Sequence, residues 1–373
     1  MLHLKLKIEK RLERFKCENF LISVVSLIIS LVIMGIFIWI NTGNFADVVE
    51  TYKELFTWPF FPELGLVDTI LKMIPLALIA LGLLVVFKMK VWNIGAEGQL
   101  YLGAMATTWG ALFLFKNMSN SISMITLLLI FGAIAGALWA LIPAILKAFL
   151  KLDEIVTTLM LNYIAVYWLN YLIYGPWKDP KGFNFPLTAV FPKNSWLPEL
   201  GDTGIHIGII ITFILVFVTY FIMYKTHLGF ELKIIGDNPK AARYSGISIE
   251  KNLIIAMIFS GALAGLAGSI QVLGVQHRLQ HGFSTGYGYT AIIVAWLARL
   301  NPFSAVIVAF LFGGLLVGGE QLQIVMRFPI SMISALQGLI LFSLLASEAI
   351  FKYRIKITKN DPIKIGGEFN GNT

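Results

Sequence analysis

Long uninterrupted apolar runs dominate this sequence. One of them, Phe20–Ile40, has about 21 residues, enough to cross the hydrocarbon core of a bilayer as a helix. Hydrophobic residues make up 57% of the chain and charged residues only 13%, about half the charged share of a typical soluble domain. The runs have neither the alternation of a half-buried strand nor the polar face of a soluble helix. The sequence therefore predicts an all-α integral membrane protein.

The N-terminal segment has the basic-then-apolar order of a secretory signal. No small-x-small cleavage site follows the apolar run, so we expect this run to stay in the protein as an anchor helix. Cys17 is the only cysteine, so it has no partner for an internal disulfide and no companion for a metal site.

We predict about ten membrane spans from the lengths of the apolar runs. The segment near Tyr287 is too short for a straight crossing, which indicates half of a broken or re-entrant element. The predicted spans are Phe20–Ile40, Thr69–Phe87, Gly98–Phe115, Ile122–Leu146, Ile155–Tyr174, His206–Tyr224, Asn252–Val275, Tyr287–Leu297, Phe303–Gly319 and Ser331–Ile350.

Lysine and arginine set the expected orientation. If the N-terminus is cytoplasmic, 21 of the 29 basic residues lie on the cytoplasmic side, as the positive-inside rule requires. The domain plan is then a basic cytoplasmic N-terminus (1–19), a transmembrane domain (20–350) with a cytoplasmic loop at 225–251, and a cytoplasmic tail (351–373). The basic residues behind the net charge of +8 lie between the apolar runs, where they set the topology. We therefore expect no nucleic-acid partner.

Small residues recur at spacings of three or four residues in two different halves of the chain. Gly132 and Gly136 form one such pattern, and Gly261, Gly265 and Gly268 form the other. Such faces let helix backbones approach closely in lipid, where apolar burial no longer drives association. They predict tight helix packing, and a duplicated helix set is an alternative explanation.

A first polar group stands where a helix enters hydrocarbon. Asn93, Glu97 and Gln99 lie beside Gly95 and Gly98. A carboxylate at membrane depth is costly and tends to face a water-filled path, a partner or a free helix terminus. Glu97 is therefore expected either to line or gate a pathway or to sit in an interfacial first turn that reaches water.

A second polar group lies in the span that follows Asp153. Asp153 and Glu154 open the helix, where acidic residues complement the helix dipole. Thr158 and Asn162 are one turn apart on the same face, and Asn170 continues the spacing. This stripe is expected either to contact solute or to hydrogen-bond a neighbouring helix.

The cytoplasmic loop contains a short helix signal. Asp237-Asn238-Pro239 is typical of a helix start, with Gly246 ending a helix that runs from Lys240 to Tyr244. Its small residues, Ala241 and Ala242, are suited to fit a groove on a soluble protein. A solvated connector is equally compatible with the pattern.

Several chemistries are missing from the sequence. It contains no phosphate loop of the Gly-x-x-x-x-Gly-Lys-Ser/Thr type, so we expect neither ATP hydrolysis nor enzyme activity from this chain. His277 and His281 form one i, i+4 pair with no third ligand, so we predict no metal site. The glycine-aromatic segment Gly282–Ala291 is suited either to a re-entrant entry or to a simple tight loop.

Four segments together resemble the permeases of bacterial ABC importers for branched-chain amino acids, ribose and nucleosides, and most closely the nucleoside or simple-sugar branch. They are Asn-Ile-Gly-Ala-Glu-Gly-Gln at 93–99, Glu-Ile-Val-Thr-Thr-Leu-Met-Leu-Asn-Tyr at 154–163, Gly-Asp-Asn-Pro-Lys-Ala-Ala-Arg-Tyr-Ser-Gly at 236–246, and Gly-Tyr-Gly-Tyr at 286–289 with Asn301-Pro302. One departure is Asp237, where the branch more often has Glu.

The resemblance implies the ABC importer permease fold and the partners of such a system. These are a cytoplasmic ATPase that binds ATP and Mg²⁺, a second and related permease, and an external substrate-binding lipoprotein. This chain would bind no cofactor itself and would lie in the bacterial cytoplasmic membrane. The resemblance implies ATPase contacts at Gly236, Asp237, Asn238, Pro239, Ala241, Ala242 and Gly246. The candidate pathway residues are Asn93, Glu97, Gln99, Asn162 and Gln271.

The predicted function is import of nucleosides, with purine nucleosides favoured. Ribose-type sugars or another small polar solute are the alternative within the same class. An ion-coupled secondary transporter, with Glu97 as the candidate ion site, and a membrane-embedded enzyme are the rival classes.

Overall fold

The computed structural model describes residues 4–10, 18–61, 65–329, 331–335, 337–339, 342 and 353–359. The chain divides into two compact units. Residues 1–50 and 328–373 form the first unit, and residues 51–327 form the second.

The first unit contains a long apolar helix and a small strand pair. Helix α1 spans Glu18–Thr42, and α2 (Phe45–Thr57) begins in this unit. Strand β1 (Leu4–Lys10) pairs antiparallel with β2 (Tyr353–Lys359), with Leu4 opposite Lys359. The predicted span Ser331–Ile350 lies largely outside the described residues.

The strand pair corrects the all-α prediction for the ends of the chain. Residues 4–8 read Leu-Lys-Leu-Lys-Ile, and residues 355–359 read Ile-Lys-Ile-Thr-Lys. A period of two in the hydrophobicity of the sequence favours a strand. This signal covers only a few residues at each end, whereas the much longer apolar runs predict helices.

The regular elements in the described part of the second unit are all helical. A 3₁₀ turn at Trp58–Phe60 precedes α3, and π-helical turns extend α4 at Gly110–Leu114 and α10 at Val272–Gln276. A further 3₁₀ turn lies at Lys193–Ser195. The helices are α3 (Leu66–Phe87), α4 (Ala96–Trp109), α5 (Ser121–Leu150), α6 (Glu154–Tyr174), α7 (Gly208–Lys225), α8 (His227–Asp237), α9 (Pro239–Tyr244), α10 (Ile249–Gln271), α11 (Tyr287–Leu297) and α12 (Pro302–Val325).

Among the described residues, six helices are long and apolar enough to cross a membrane: α3, α5, α6, α7, α10 with its π turn, and α12. The predicted number of about ten spans is therefore not confirmed. Helix α11 has 11 residues, which agrees with the prediction that this segment is too short to cross. Helix α4 begins at Ala96, and its first turn carries Glu97.

Two glycine faces meet where α5 packs on α10. A Cβ atom added to Gly136 would lie 2.2 Å from the carbonyl oxygen of Gly261, and one added to Gly265 would lie 2.3 Å from that of Gly132. Any larger side chain would force the helices apart. The predicted small-residue patterns are thus one tight contact, which explains them without requiring an internal repeat.

Helix α3 forms the centre of the second unit. Its residues from Met73 to Phe87 are all buried, and it contacts α7, α10, α11 and α12. Helices α5, α6 and α7 bury a much smaller part of their surface in this chain. The most hydrophobic segment is therefore enclosed by protein, and less of its surface is left for lipid.

The segment between α6 and α7 is tied to the end of α10 by backbone hydrogen bonds. Thr188 N–H donates to the carbonyl of Leu279 (2.9 Å), and Phe191 N–H donates to that of His277 (2.8 Å). The imidazole of His277 stacks on Trp196 with ring centroids 3.8 Å apart. This proline-rich loop is therefore an ordered cap over the segment that leads to α11.

Candidate functional site

The first polar group forms a closed hydrogen-bonded cluster at the start of α4. Asn93 Nδ2 donates to Gln99 Oε1 (3.0 Å) and to the hydroxyl of Ser260 on α10 (3.0 Å). Gln99 Nε2 donates back to Asn93 Oδ1 (3.1 Å), which also accepts from the backbone N–H of Gly95 (3.1 Å). Asn93 and Gln99 are almost completely buried. The amides therefore pair with each other and attach α4 to α10.

Glu97 joins α4 to the start of α11. The hydroxyl of Ser284 donates to Glu97 Oε1, and the backbone N–H of Gly288 donates to Oε2, both at 2.6 Å. Gly288 lies in the first turn of α11, where free N–H groups and the helix dipole stabilise negative charge. A Cβ atom at Gly288 would lie 2.3 Å from the backbone nitrogen of Glu97, so the two helix starts touch.

Asn162 on α6 completes the same cluster. Its Oδ1 accepts from the backbone N–H of Gly98 (2.8 Å), and its Nδ2 donates to the carbonyl of Ile94 (2.8 Å) and the hydroxyl of Tyr289 (3.2 Å). The side chain thus satisfies the non-helical backbone before α4. Of its two expected roles, the structure gives Asn162 the hydrogen bond to a neighbouring helix.

Four of the five candidate pathway residues therefore lie together. Asn93, Glu97, Gln99 and Asn162 are buried, and each is hydrogen-bonded within the chain. Gln271 is also buried on α10, but no hydrogen bond connects it to this cluster in the described structure. The cluster joins α4, α6, α10 and α11. A solute-lining role for these residues stays a prediction.

Sequence reasoning missed three members of this cluster. Ser284 and Tyr289 lie in the glycine-aromatic segment Gly282–Ala291, but the sequence does not indicate that they contact Glu97 and Asn162. Ser260 precedes the glycine pattern of α10 and gave no signal of its own. These contacts span 187, 127 and 167 positions along the chain, so they depend on the fold.

The coupling segment (residues 236–247) has the predicted short helix. Asn238 Oδ1 accepts from the backbone N–H groups of Lys240 (3.1 Å) and Ala241 (3.2 Å), which caps α9. Gly246 takes a φ of 77°, the left-handed conformation typical of a residue that ends a helix.

The two alanines of α9 face opposite ways. Ala241 is exposed, and Ala242 is fully buried against its own chain. Gly236 is buried too, and a Cβ atom there would lie 2.2 Å from the carbonyl oxygen of Lys88. In this chain Ala242 and Gly236 let the segment pack on the neighbouring helices, and a contact of these two residues with a partner stays a prediction.

The exposed side of α9 is different in character. Tyr244 is 94% exposed, more than any other large hydrophobic side chain described. Arg243 Nη2 lies 3.4 Å from Glu250 at the start of α10, and Glu250 also pairs with Lys151 at the end of α5 (3.2 Å). The coupling segment thus presents an aromatic side chain on a short helix anchored to α5 and α10.

Lys88 holds the inner side of the coupling segment. Its ammonium donates to the carbonyl of Met223 and lies 4.7 Å from the ring centroid of Tyr224. Burial lowers the pKa of Lys88, and repulsion from Lys233 lowers it further. Since its own carbonyl touches Gly236, this residue connects the end of α3, the end of α7 and the coupling segment.

The described residues contain no cluster of three or more His, Cys, Asp or Glu side chains that could hold a metal ion. The predicted i, i+4 histidines have separate contacts. His277 stacks on Trp196, while His281 Nδ1 lies 3.0 Å from Asn170 Oδ1.

A family model described as the permease component of branched-chain amino-acid transport systems matches residues 65–345. The chain belongs to this permease family. It is therefore a multi-pass membrane protein and a transport component of an ABC system, which includes an ATPase and a substrate-binding protein.

Named relatives cover most of the chain. It is 34% identical to the glucose ABC transporter permease protein TsgB13 of Haloferax volcanii over 83% of this chain and 84% of the relative. It is 31% identical to the guanosine ABC transporter permease protein NupP of Bacillus subtilis, over 90% and 95%. The nucleoside ABC transporter permease protein NupB of Lactococcus lactis is 34% identical, over 72% and 75%. No solved structure gives a significant match.

Proposed function

We propose that this permease imports nucleosides, with purine nucleosides first. The observation that carries the proposal is the match to the guanosine permease NupP, which extends over 90% of this chain and 95% of that protein. The nucleoside permease NupB adds a second relative of the same kind. The similarity to a glucose permease makes simple sugars, including ribose, the second candidate.

The coupling segment is proposed to dock on a cytoplasmic ATPase, which binds ATP and Mg²⁺. Support comes from the exposed side of α9, where Tyr244 projects from a capped helix. The other exposed contact candidates are Asp237, Asn238, Pro239, Ala241 and Gly246. An aromatic side chain that inserts into a groove is a typical anchor of a protein interface.

Transport is proposed to need two permeases and an external substrate-binding lipoprotein. The second permease is taken to be a related but distinct chain. Closure of the ATPase pair would push the coupling segments and rock the permeases between outward-open and inward-open states. Because the lipoprotein would confer selectivity, the solute need not bind this chain tightly.

Both termini are proposed to lie in the cytoplasm. The distribution of basic residues supports this orientation, since 21 of 29 then fall inside. The pairing of β1 with β2 supports a common side for the two termini, because two hydrogen-bonded strands must lie on one side of the membrane. An even number of spans between residues 10 and 353 follows from the same pairing.

The test is uptake of labelled guanosine by cells that have or lack this chain, with excess ribose or glucose as competitors. We expect uptake that requires the chain and ATP and ignores both sugars. Competition by a sugar would indicate that the permease imports sugars instead. Uptake that survives ATP depletion but collapses with the ion gradient would instead favour a secondary transporter.

A further inference from the structure

Helix α6 exposes a row of tyrosines. Tyr163, Tyr167, Tyr171 and Tyr174 are between 52% and 69% exposed in this chain. At 100° per residue they fall within an arc of about 80° on one side of the helix. We call this arc the tyrosine face.

The tyrosine face differs from the other exposed helix surfaces. The large exposed hydrophobic side chains of α5 and α12 are all aliphatic or phenylalanine. Those of α7 are too, except for Tyr224, which lies in its last turn and donates its hydroxyl to the carbonyl of Leu300 (3.1 Å). Helix α6 also has the lowest mean hydropathy of the six candidate spans. Lipid contact explains the other surfaces better than it explains this one.

The phenol hydroxyls argue against a lipid environment. Within the described residues, none of the four has a hydrogen-bond partner, and hydrocarbon offers none. An interfacial aromatic belt accounts for Tyr174, at the end of the helix, and for Tyr171, one turn earlier. Tyr163 and Tyr167 lie nearer the middle of the 21-residue span, where such a belt does not reach.

Polar groups continue the tyrosine face at its edge. The 40% exposed side chain of Tyr289 accepts the hydrogen bond from Asn162. Nearer the end of α6, Asn170 contacts His281, whose ring packs edge-on against Tyr174. The buried cluster around Asn162 therefore reaches the surface at this face.

The residue types also argue against a helix seam. Helices that pack together in lipid use small residues, as α5 and α10 do here. None of the exposed side chains of α6 is small: beside the four tyrosines they are Ile155, Val156, Met160, Ile164 and Trp168. Aromatic rings stack on a nucleobase whatever its identity, and phenol hydroxyls can bond the ribose.

We infer that the tyrosine face lines the solute path and that nucleoside bases slide along its rings. This inference rests on the proposed nucleoside function. Tyr163 and Tyr167 carry it, because their depth in the span excludes the interfacial explanation.

Cysteine accessibility in the assembled transporter is the first test. The chain has one natural cysteine, so the background is Cys17→Ser. Tyr163→Cys and Tyr167→Cys are compared with Phe217→Cys on α7, a lipid-type position of similar exposure (62%, against 69% for Tyr167). We expect a charged methanethiosulfonate to label the two α6 variants at least about tenfold faster, since only a wet position ionises its thiol readily.

Equal, slow labelling at all three positions would overturn the inference. So would slow labelling accompanied by disulfide cross-linking of Tyr167→Cys to the second permease, which would assign the face to the subunit interface. Labelling is independent of the transported solute. The experiment therefore separates failure of the path from failure of the nucleoside proposal.

Guanosine uptake then tests the role of the rings. Tyr163→Leu with Tyr167→Leu should lower uptake about tenfold, the factor that corresponds to loss of one stacking contact. The matched phenylalanine pair should keep most of the uptake, and Phe217→Leu should leave it unchanged. Equal uptake by the leucine and phenylalanine pairs would contradict stacking. Copurification of the ATPase shows that each variant assembles.

Discussion

Two polar motifs, the cluster at the start of α4 and the coupling segment, have opposite structural settings. In the first, Asn93, Glu97 and Gln99 are buried and bonded to their own chain. In the second, a capped helix holds Tyr244 out in solvent. In one motif the polar residues join helices. In the other they cap a short helix whose aromatic side chain is exposed. Substitutions in the cluster should reduce folding, and those on the outer side of α9 should reduce coupling alone.

The largest effect is expected at Gly288. In Gly288→Ala the new Cβ would lie 2.3 Å from the backbone nitrogen of Glu97, and backbone cannot move aside cheaply. We expect a cost of about 3 kcal/mol or more, seen as loss of the monodisperse peak in detergent chromatography. Gly338→Ala is the control, because among the described residues nothing lies within 4 Å of a Cβ there. A normal peak for Gly288→Ala would show that α4 and α11 do not touch.

The two alanines of α9 differ in burial, so they separate folding from docking within a single helix. Ala242→Arg should disrupt folding, because it forces a charged side chain into a fully buried position. Ala241→Arg, at an exposed position, should leave folding intact and abolish ATPase copurification and uptake. The measurements are detergent chromatography for folding and affinity copurification for docking. Normal uptake by Ala241→Arg would remove the docking assignment.

Two substitutions at Glu97 distinguish a structural role of this residue from a role of its negative charge. Glu97→Leu leaves the buried N–H of Gly288 unbonded and should cost about 2 kcal/mol, which lowers the melting temperature in detergent. Glu97→Gln should cost less than half of this. Its amide oxygen can accept from Gly288, and its amide nitrogen can donate to the hydroxyl oxygen of Ser284, which then acts as acceptor.

Glu199→Gln, at an exposed site, is the control for Glu97 and should change nothing. A Glu97→Gln variant with normal melting temperature but no uptake would contradict a purely structural role. It would show that the negative charge takes part in transport.

Much of the fold could be predicted because its signals are local. Asp153 accepts from the backbone N–H of Ile155 at the start of α6 (2.8 Å), as acidic residues before an apolar run indicate. Asn238 and Gly246 similarly marked the ends of α9. The spacing of Gly132 and Gly265 predicted close packing, although not that these two glycines would meet.

The rest depended on tertiary contacts that a single sequence does not specify. Asn93 contacts Ser260 across 167 positions, so only the fold brings them together. In a helix of six residues the alanine pair gives no apolar period, so the inward turn of Ala242 was not predictable. Whether a polar residue faces a path or a neighbouring helix depends on the same long-range packing.

The smallest effect is expected at Tyr244. Tyr244→Ala should weaken ATPase association about tenfold, the equivalent of about 1.4 kcal/mol, because an exposed aromatic side chain anchors an interface by inserting into a partner. Its melting temperature should not change, since the 94% exposed ring contributes little to folding. Phe183→Ala is the matched control, as it is 92% exposed in the loop between α6 and α7. Equal ATPase association for both variants would mean that the outer side of α9 is only solvated. The two polar motifs would then differ in burial alone, and Tyr244 would have no docking role.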